Sequence, residues 1–136
     1  MELRAIDDIL ADTNESDFEV TELVENGLPT ESLMVLRAHG LTFTEVAEIV
    51  ISPRTLKHRK SRGENLSDEE TDRVVRVGRT LALANDVFGN HEKALQWLRT
   101  PSDQIGGRTP LSLLRTDAGG RVVERRLWQI DEGFFA

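Results

Sequence analysis

Signals that start α-helices recur at short intervals along this chain, and they restrict its fold more than any other feature of the sequence. Thr42–Glu45 and Ser67–Glu70 have the spacing of a capping box, in which a hydroxyl and a carboxylate three residues apart satisfy free backbone amides. Ser52-Pro53 and Thr109-Pro110 place an N-cap residue before a proline, which suits the first position of a helix. No strand-like alternation separates these signals. The sequence therefore predicts an all-α fold of helices joined by tight turns.

The same signals divide the middle of the chain into four helices. Pro29-Thr30 opens one helix, which Gly40 ends. Thr42 and Ser52 open the next two, and Ser67 opens the longest. This last helix carries an apolar stripe at helical spacing, formed by Val74, Val77, Leu81, Ala84 and Phe88. We expect it to connect the two ends of the molecule and to support dimerisation through the stripe.

The net charge of −7 over 136 residues is concentrated in the first 26. That segment holds nine acidic residues against Arg4 alone, so the rest of the chain is close to neutral. Like charges repel and keep a segment loose unless a partner compensates them. We therefore expect an acidic arm over residues 1–26. It is either a solvated linker or an arm that shields a basic surface of the protein or binds a partner.

A basic segment, Ser52–Arg62, contains five lysine or arginine residues and no acidic one. It follows the helix predicted from Thr42 after the short turn Val50–Ser52, and this order is typical of a helix-turn-helix unit. In such a unit the second helix enters the major groove and contacts base edges and phosphates. The predicted DNA-binding residues are Arg54, Thr55, Lys57, His58, Arg59, Lys60 and Arg62. The alternative is a solvated charged face.

The details of this unit set further expectations. Its turn contains no glycine, although turns of this type often have one, which predicts either an altered geometry or weak DNA affinity. Because a single unit binds DNA weakly, we expect a homodimer that contacts two half-sites. Arg73, Arg76 and Arg79 recur every three residues on the long helix and are expected to extend the positive surface.

The stretch Phe88–Ala136 has the features of a docking surface. It holds both tryptophans of the chain and three of its five phenylalanines. It has no cysteine, one histidine and no nucleophile paired with an acid or base, so no catalytic site is predicted. Its capping signals predict one helix from Asn90 to Leu98 and a short one over Leu111–Leu114. A last helix is expected from Thr116 or Asp117 to Gly133, with Gly106-Gly107 forming a turn.

Two aromatic features of this stretch lead to different predictions. Trp97 and Trp128 lie at helical positions among leucines, so packing in the core is favoured for both, with a partner contact as the alternative. Phe134-Phe135 stand at the end of the chain, where chain ends are usually frayed and polar. An aromatic pair there favours burial in a partner, and the alternative is packing on Trp128 or Leu127.

Metal, cofactor and membrane chemistry are not predicted. The three histidines are far apart and share no helical face with acidic residues at ligand spacing, so no metal site is expected. The chain has no signal peptide and no apolar run of about 18 residues. It also contains no cysteine. The sequence thus predicts a cytoplasmic protein without a membrane span and without a cofactor.

Four short runs carry a resemblance to a known family. They are W-L-R-T-P at 97–101, G-G-R-T-P-L-S-L-L at 106–114, D-x-G at 117–119 and the closing W-Q-I-D-E-G-F-F-A. Together they resemble the toxin-binding domain of Xre/MbcA/ParS-type antitoxins. The resemblance is specific over about the last 50 residues and weaker over residues 27–87. The first 26 residues show none.

The resemblance implies a function without chemistry. It implies a non-enzymatic antitoxin of a type II toxin-antitoxin system that neutralises a RES-domain toxin, an NAD-consuming or ADP-ribosylating enzyme. In this family the C-terminal end enters or covers the toxin's active-site cleft, which makes Gly133–Ala136 the plug in this chain. The toxin-binding residues implied are Trp97, Arg99, Arg108, Gly133, Phe134, Phe135 and Ala136.

These inferences combine into one domain plan. An acidic arm over 1–26 precedes a helix-turn-helix region over 27–66, which is expected to bind operator DNA and repress its own operon. A connecting or dimerisation helix over 67–87 leads to a toxin-binding domain over 88–136. The alternative function is a stand-alone helix-turn-helix regulator without a toxin partner.

Overall fold

The computed structural model describes residues 17–133, which form helices, turns and one isolated β-bridge, without a β-strand. Over this range the all-α prediction is confirmed. Most of the acidic arm, residues 1–16, and the tail, residues 134–136, lie outside the described part of the chain. The chain divides between Arg79 and Thr80 into two compact units.

The first unit is a succession of short helices. They are α1 (Asp17–Asn26), a 3₁₀ turn (Thr30–Ser32), α2 (Leu33–Ala38), α3 (Phe43–Ile49) and α4 (Pro53–Arg62). The first part of α5 (Asp68–Phe88) completes this unit, and its last part belongs to the second. The predicted helix starts are confirmed. Glu45 N donates to Thr42 Oγ1 over 3.1 Å and Thr42 N donates to Glu45 Oε1 over 2.8 Å, which completes the capping box.

Gly27 fastens the end of α1 to the connection between α4 and α5. Its φ of +77° is left-handed, and a Cβ there would lie 2.6 Å from the Leu66 carbonyl oxygen, so only glycine fits. Leu66 N donates to Leu28 O over 2.8 Å, and Leu28 N donates to Thr71 Oγ1 over 3.1 Å. Because these bonds join residues about 40 positions apart, they connect the segment after α1 to the segment between α4 and α5 and to the start of α5.

The second unit contains the end of α5 and four further elements. They are α6 (His91–Leu98), a 3₁₀ turn (Asp103–Ile105), α7 (Pro110–Leu113) and α8 (Asp117–Asp131). Asn90, Thr109 and Thr116 accept backbone N–H bonds at the starts of α6, α7 and α8, as predicted. Thr116 is therefore the cap of the last helix and Asp117 its first residue.

The apolar stripe of α5 does not provide the dimer surface predicted for it. Val74, Val77 and Ala84 are fully buried and Leu81 nearly so. Phe88 is half-buried, with its ring centroid 5.8 Å from that of Trp97. The spacing of the stripe identified a buried face correctly, but the core of the protomer takes up that face.

Gly119 explains the D-x-G motif in packing terms. Its backbone N–H donates to Thr116 Oγ1 over 3.0 Å, which fixes the first turn of α8. A Cβ on Gly119 would lie 2.0 Å from the Leu113 carbonyl oxygen and 2.8 Å from its carbon. The start of α8 thus lies directly against the end of α7, at a distance that only glycine permits.

Gly119→Ala is expected to lower the free energy of unfolding by about 3 kcal/mol, because backbone atoms cannot move aside as a side chain can. Thermal unfolding followed by circular dichroism measures the loss. Gly106→Asn is the control, since Gly106 has a φ of +71° in open space and asparagine tolerates that conformation. Equal melting temperatures for the two variants would show that α7 and α8 separate without loss of stability.

Candidate functional site

The exposed side of α4 is positively charged. Arg54, Lys57, His58 and Arg62 are exposed, and α4 contains no acidic residue. At 100° per residue these four side chains fall within an arc of about 140° on the helix. Arg54, Lys57 and His58 also border one surface depression, together with Thr55 and Ser61. Neither Arg54 nor Lys57 forms an ion pair with another residue between 17 and 133. We call this set of four the basic face.

Lys60 and Arg59 lie away from the basic face, although the sequence grouped all seven residues. Lys60 is exposed but is rotated by about 130° from the centre of the face. Arg59 is partly buried and its guanidinium is bound by two carboxylates. Its Nε and Nη2 donate to Glu70 over 2.9 and 3.2 Å, and its Nη1 donates to Glu64 over 3.0 Å. These bonds give Arg59 a positioning role within the unit, and the DNA contact expected for it stays a prediction.

Glu70 joins α4 to α5. Its Oε1 accepts the Ser67 backbone N–H over 2.8 Å, and its own backbone N–H donates to Ser67 Oγ over 3.2 Å, which confirms the second predicted capping box. The Glu70 side chain is 7% exposed. Burial acts to raise the pKa of Glu70, but hydrogen bonds from Arg59 and Ser67 outweigh it and hold that pKa below its ordinary value. The same contact raises the pKa of Arg59.

Arg73 holds the turn between α3 and α4. Its Nε donates to the Val50 carbonyl oxygen over 2.9 Å, and Val50 and Ile51 are both buried. This bond, with burial of the two apolar residues, fixes a turn that lacks glycine. Arg76 is paired with Asp72 one helical turn away. Arg73 and Arg76 are therefore occupied within the protein, and they do not extend the positive surface as expected.

The predicted toxin-binding residues of the second unit lie on α6 and the loop after it. Trp97 is half-buried against Phe88, while Arg99 and Arg108 are exposed. Ser102 N donates to Arg108 O over 3.0 Å and Gly107 N donates to Ser102 O over 2.9 Å, which closes the loop into a compact turn. Arg108 is presented from this turn, and its Nη2 lies 3.3 Å from the Ser112 carbonyl oxygen.

Trp128 is 47% exposed, and the prediction that it packs in the core is wrong. The residues one turn before and after it on α8 are also exposed, and all are charged: Glu124, Arg125, Asp131 and Glu132. Buried Val123 and Leu127 form the opposite side. At 100° per residue Trp128 is displaced by about 100° from adjacent Leu127. A helical-wheel placement relative to that stripe would have identified it.

The last predicted toxin-binding segment, the plug Gly133–Ala136, follows α8. Gly133 is exposed, has a φ of +87° and donates its backbone N–H to Ile130 O over 3.0 Å, as expected for a residue that ends a helix. Phe134, Phe135 and Ala136 lie outside the described residues, so their role as a plug stays a prediction.

Residues 17–133 contain neither a candidate metal site nor a candidate membrane span. No group of three or more histidine, cysteine, aspartate or glutamate side chains is placed to hold a metal ion. No helix in this range is both long enough and apolar enough to cross a membrane.

Glu70→Gln is expected to lower the free energy of unfolding at neutral pH by about 2 kcal/mol, because Arg59 loses a charged hydrogen-bond partner. Folding depresses the pKa of Glu70, so its ionised form contributes stability above the ordinary carboxyl pKa, and this contribution is lost as the pH falls through the folded-state pKa. Below about pH 4.3 the wild type should therefore lose stability more steeply than Glu70→Gln.

Urea unfolding across the acid range checks both expectations. Glu64→Gln is the matched control, because Glu64 binds the same guanidinium from a more exposed position, where an ion pair is worth less than about 1 kcal/mol. If the free energy of unfolding falls in parallel with pH in the wild type and in Glu70→Gln, the Glu70 carboxylate does not hold α4 in place.

Comparison with known families matches both units. Residues 19–79 match the antitoxin Xre-like helix-turn-helix domain. Residues 83–133 match the antitoxin Xre/MbcA/ParS C-terminal toxin-binding domain, and this range includes Trp97, Arg99, Arg108, Trp128 and Gly133.

Individual relatives agree with these matches. Antitoxin Xre of Pseudomonas putida is 36% identical over 119 residues, which are 88% of this chain and 75% of the relative. Antitoxin Xre of Yersinia enterocolitica is 33% identical over 87 residues, 63% of this chain and 59% of the relative. The Prs ADP-ribosylating antitoxin of a Sphingobium species is 32% identical over 91 residues, 60% of this chain and 57% of the relative. The chain therefore belongs to the Xre family of antitoxins, with a helix-turn-helix domain followed by a toxin-binding domain.

Proposed function

We propose that this antitoxin neutralises a RES-domain toxin, an NAD-consuming or ADP-ribosylating enzyme, by covering the toxin's active site with its C-terminal region. The observation that carries the toxin-binding role is the match of residues 83–133 to a toxin-binding domain. The name of the Sphingobium relative, an ADP-ribosylating antitoxin, supports a connection with that chemistry. The inhibition is steric and the antitoxin is not an enzyme.

We propose that Trp128 is the central anchor of the toxin-binding face. Aromatic residues within a polar rim are favoured as interface hot spots, because the rim excludes water from the buried ring. Trp128 has this setting on α8, and α8 runs directly to Gly133 and the Phe134–Ala136 tail. Trp97, Arg99 and Arg108 are further proposed contacts, together with the tail.

We also propose that α4 binds operator DNA and represses the antitoxin's own operon. Support comes from the match of residues 19–79 to a helix-turn-helix domain and from the exposed basic face on its second helix. In this proposal Arg54, Lys57 and His58 contact base edges, and Thr55 lies at the margin of the contact. Arg62 reaches phosphate. Lys60 is proposed only as a peripheral phosphate contact.

Binding to two half-sites requires a homodimer, which we propose forms within a larger complex with the toxin. The buried stripe of α5 does not supply the contact surface. Met34 on α2 and Phe43 at the start of α3 are large apolar side chains that are 63% and 49% exposed. These two residues are the proposed contribution of the first unit to the dimer.

Co-expression with the adjacent gene tests the proposed function. We expect the neighbour alone to stop growth, the pair to grow normally and the two products to co-purify. NAD measured in the arrested cells identifies the toxin's chemistry. A harmless neighbour that does not bind would contradict the proposal and favour a stand-alone regulator.

Trp128→Ala and deletion of Phe134–Ala136 test the toxin-binding face separately. Each is expected to weaken toxin binding about 30-fold or more, as loss of a hot spot of roughly 2 kcal/mol does. Titration calorimetry with the purified toxin measures the affinity. Phe18→Ala is the control, because Phe18 is an exposed aromatic residue of the first unit. Normal inhibition by the truncated chain would exclude the tail as the plug.

The basic face is tested by alanine substitutions within α4. Arg54→Ala and Lys57→Ala are each expected to weaken binding to the antitoxin's own promoter fragment about tenfold and to reduce the salt slope by about one. Lys60→Ala removes the same charge from the same helix but from a different side, and should have a smaller effect. Fluorescence anisotropy at several salt concentrations provides both quantities. Equal losses for all three variants would show that helix charge, and not the face, determines binding.

A further inference from the structure

The acidic arm joins the rest of the first unit close to the end of α4. Asn65 Nδ2 donates to the Gly27 carbonyl oxygen over 3.3 Å, and Leu66 N donates to Leu28 O over 2.8 Å. Asn65 is three residues after Arg62, the last residue of α4, so Gly27 lies within about 15 Å of Arg62. α1 ends at Asn26, immediately before Gly27.

The arm is also long enough to cover α4. α1 has ten residues and is thus about 15 Å long, which places Asp17 within roughly 30 Å of Arg62. The sixteen residues before Asp17 can extend over about 50 Å. α4 itself is ten residues, or about 15 Å, in length. The basic face is therefore within reach of residues 1–16.

The charge of residues 1–16 is complementary to that of the basic face. Residues 1–16 contain five acidic side chains and one basic one, whereas α4 contains five basic side chains and no acidic one. Carboxylates accept hydrogen bonds from the same guanidinium and ammonium groups that a DNA phosphate engages. On the basic face these groups are exposed, and neither Arg54 nor Lys57 is paired with a residue between 17 and 133.

We propose that residues 1–16 occupy the basic face of α4 when DNA is absent and compete with duplex DNA for it. This inference rests on the proposed DNA-binding role of α4. A tethered segment acts at an effective concentration on the order of 1 mM, so contacts that are individually weak still compete. Because the contact joins exposed charges, salt screens it within a Debye length of about 10 Å. The arm thereby lowers the antitoxin's affinity for DNA of any sequence.

A charge-neutral arm on the full chain tests the competition. The variant carries Asp7→Asn, Asp8→Asn, Asp12→Asn and Glu15→Gln, so that Glu2 and Arg4 balance each other within residues 1–16. The probe is a random-sequence duplex of about 20 base pairs, which reports the sequence-independent contact with phosphates. We expect the neutral arm to bind the duplex about tenfold more tightly at low salt, and the gain to shrink as salt rises.

A matched control separates the arm from bulk charge. It makes the same change in net charge at four exposed acidic residues of the second unit: Asp86, Glu92, Glu124 and Asp131. We expect this control to gain less than half as much affinity, on a logarithmic scale, as the neutral arm. An equal gain would overturn the proposal, because net charge alone would then account for the effect.

A readout without DNA distinguishes the arm contact from the proposed DNA function. Backbone amide chemical shifts of α4 are compared between the full chain and the neutral-arm variant. We expect differences at Arg54, Lys57, His58 and Arg62 that disappear at high salt. Unchanged shifts together with equal DNA affinities would overturn the proposal. Salt-sensitive shifts in a protein that binds no duplex in either form would support the arm contact and reject DNA binding by α4.

Discussion

Glu70 joins two helices through one carboxylate, since it completes the capping box of α5 and binds Arg59 of α4 through both of its oxygens. This contact matters because α4 has no fully buried residue, so apolar burial contributes little to its orientation. A bidentate pair with a planar guanidinium fixes direction as well as distance. The presentation of the basic face therefore depends on a side chain that lies outside that face.

The turn before α4 is held by a comparable device. A glycine commonly allows the sharp backbone change in such a turn, but here Val50 and Ile51 are buried and the Val50 carbonyl is bound by Arg73. Two arginines that the sequence assigned to a positive surface, Arg59 and Arg73, thus build the unit that presents the other charges. The departure from the usual turn sequence is accommodated by long-range contacts from α5.

What the sequence predicted well was local. The caps at Thr42, Ser52 and Thr109 depend on atoms within four residues of one another, so spacing alone was sufficient to identify the helix starts. The roles of Arg59 and Trp128 depend on what lies beside a helix, which no spacing rule states. The stripe on α5 shows the intermediate case, because periodicity identified a buried face but not which surface buries it.

The two candidate surfaces rely on different physics, which allows one chain to carry both. The DNA contact proposed for the basic face is made through exposed charges, so salt is expected to weaken it. The toxin contact proposed for Trp128 buries an aromatic ring, which salt is expected to affect little. The Arg59–Glu70 pair is charged, like the basic face, but it is mostly buried, with side chains 24% and 7% exposed. Because such a pair is screened less than exposed charges, salt that weakens the proposed DNA contact is expected to leave the orientation of α4 intact. Salt is thus expected to adjust the proposed DNA contact without changing the structure that presents the basic face.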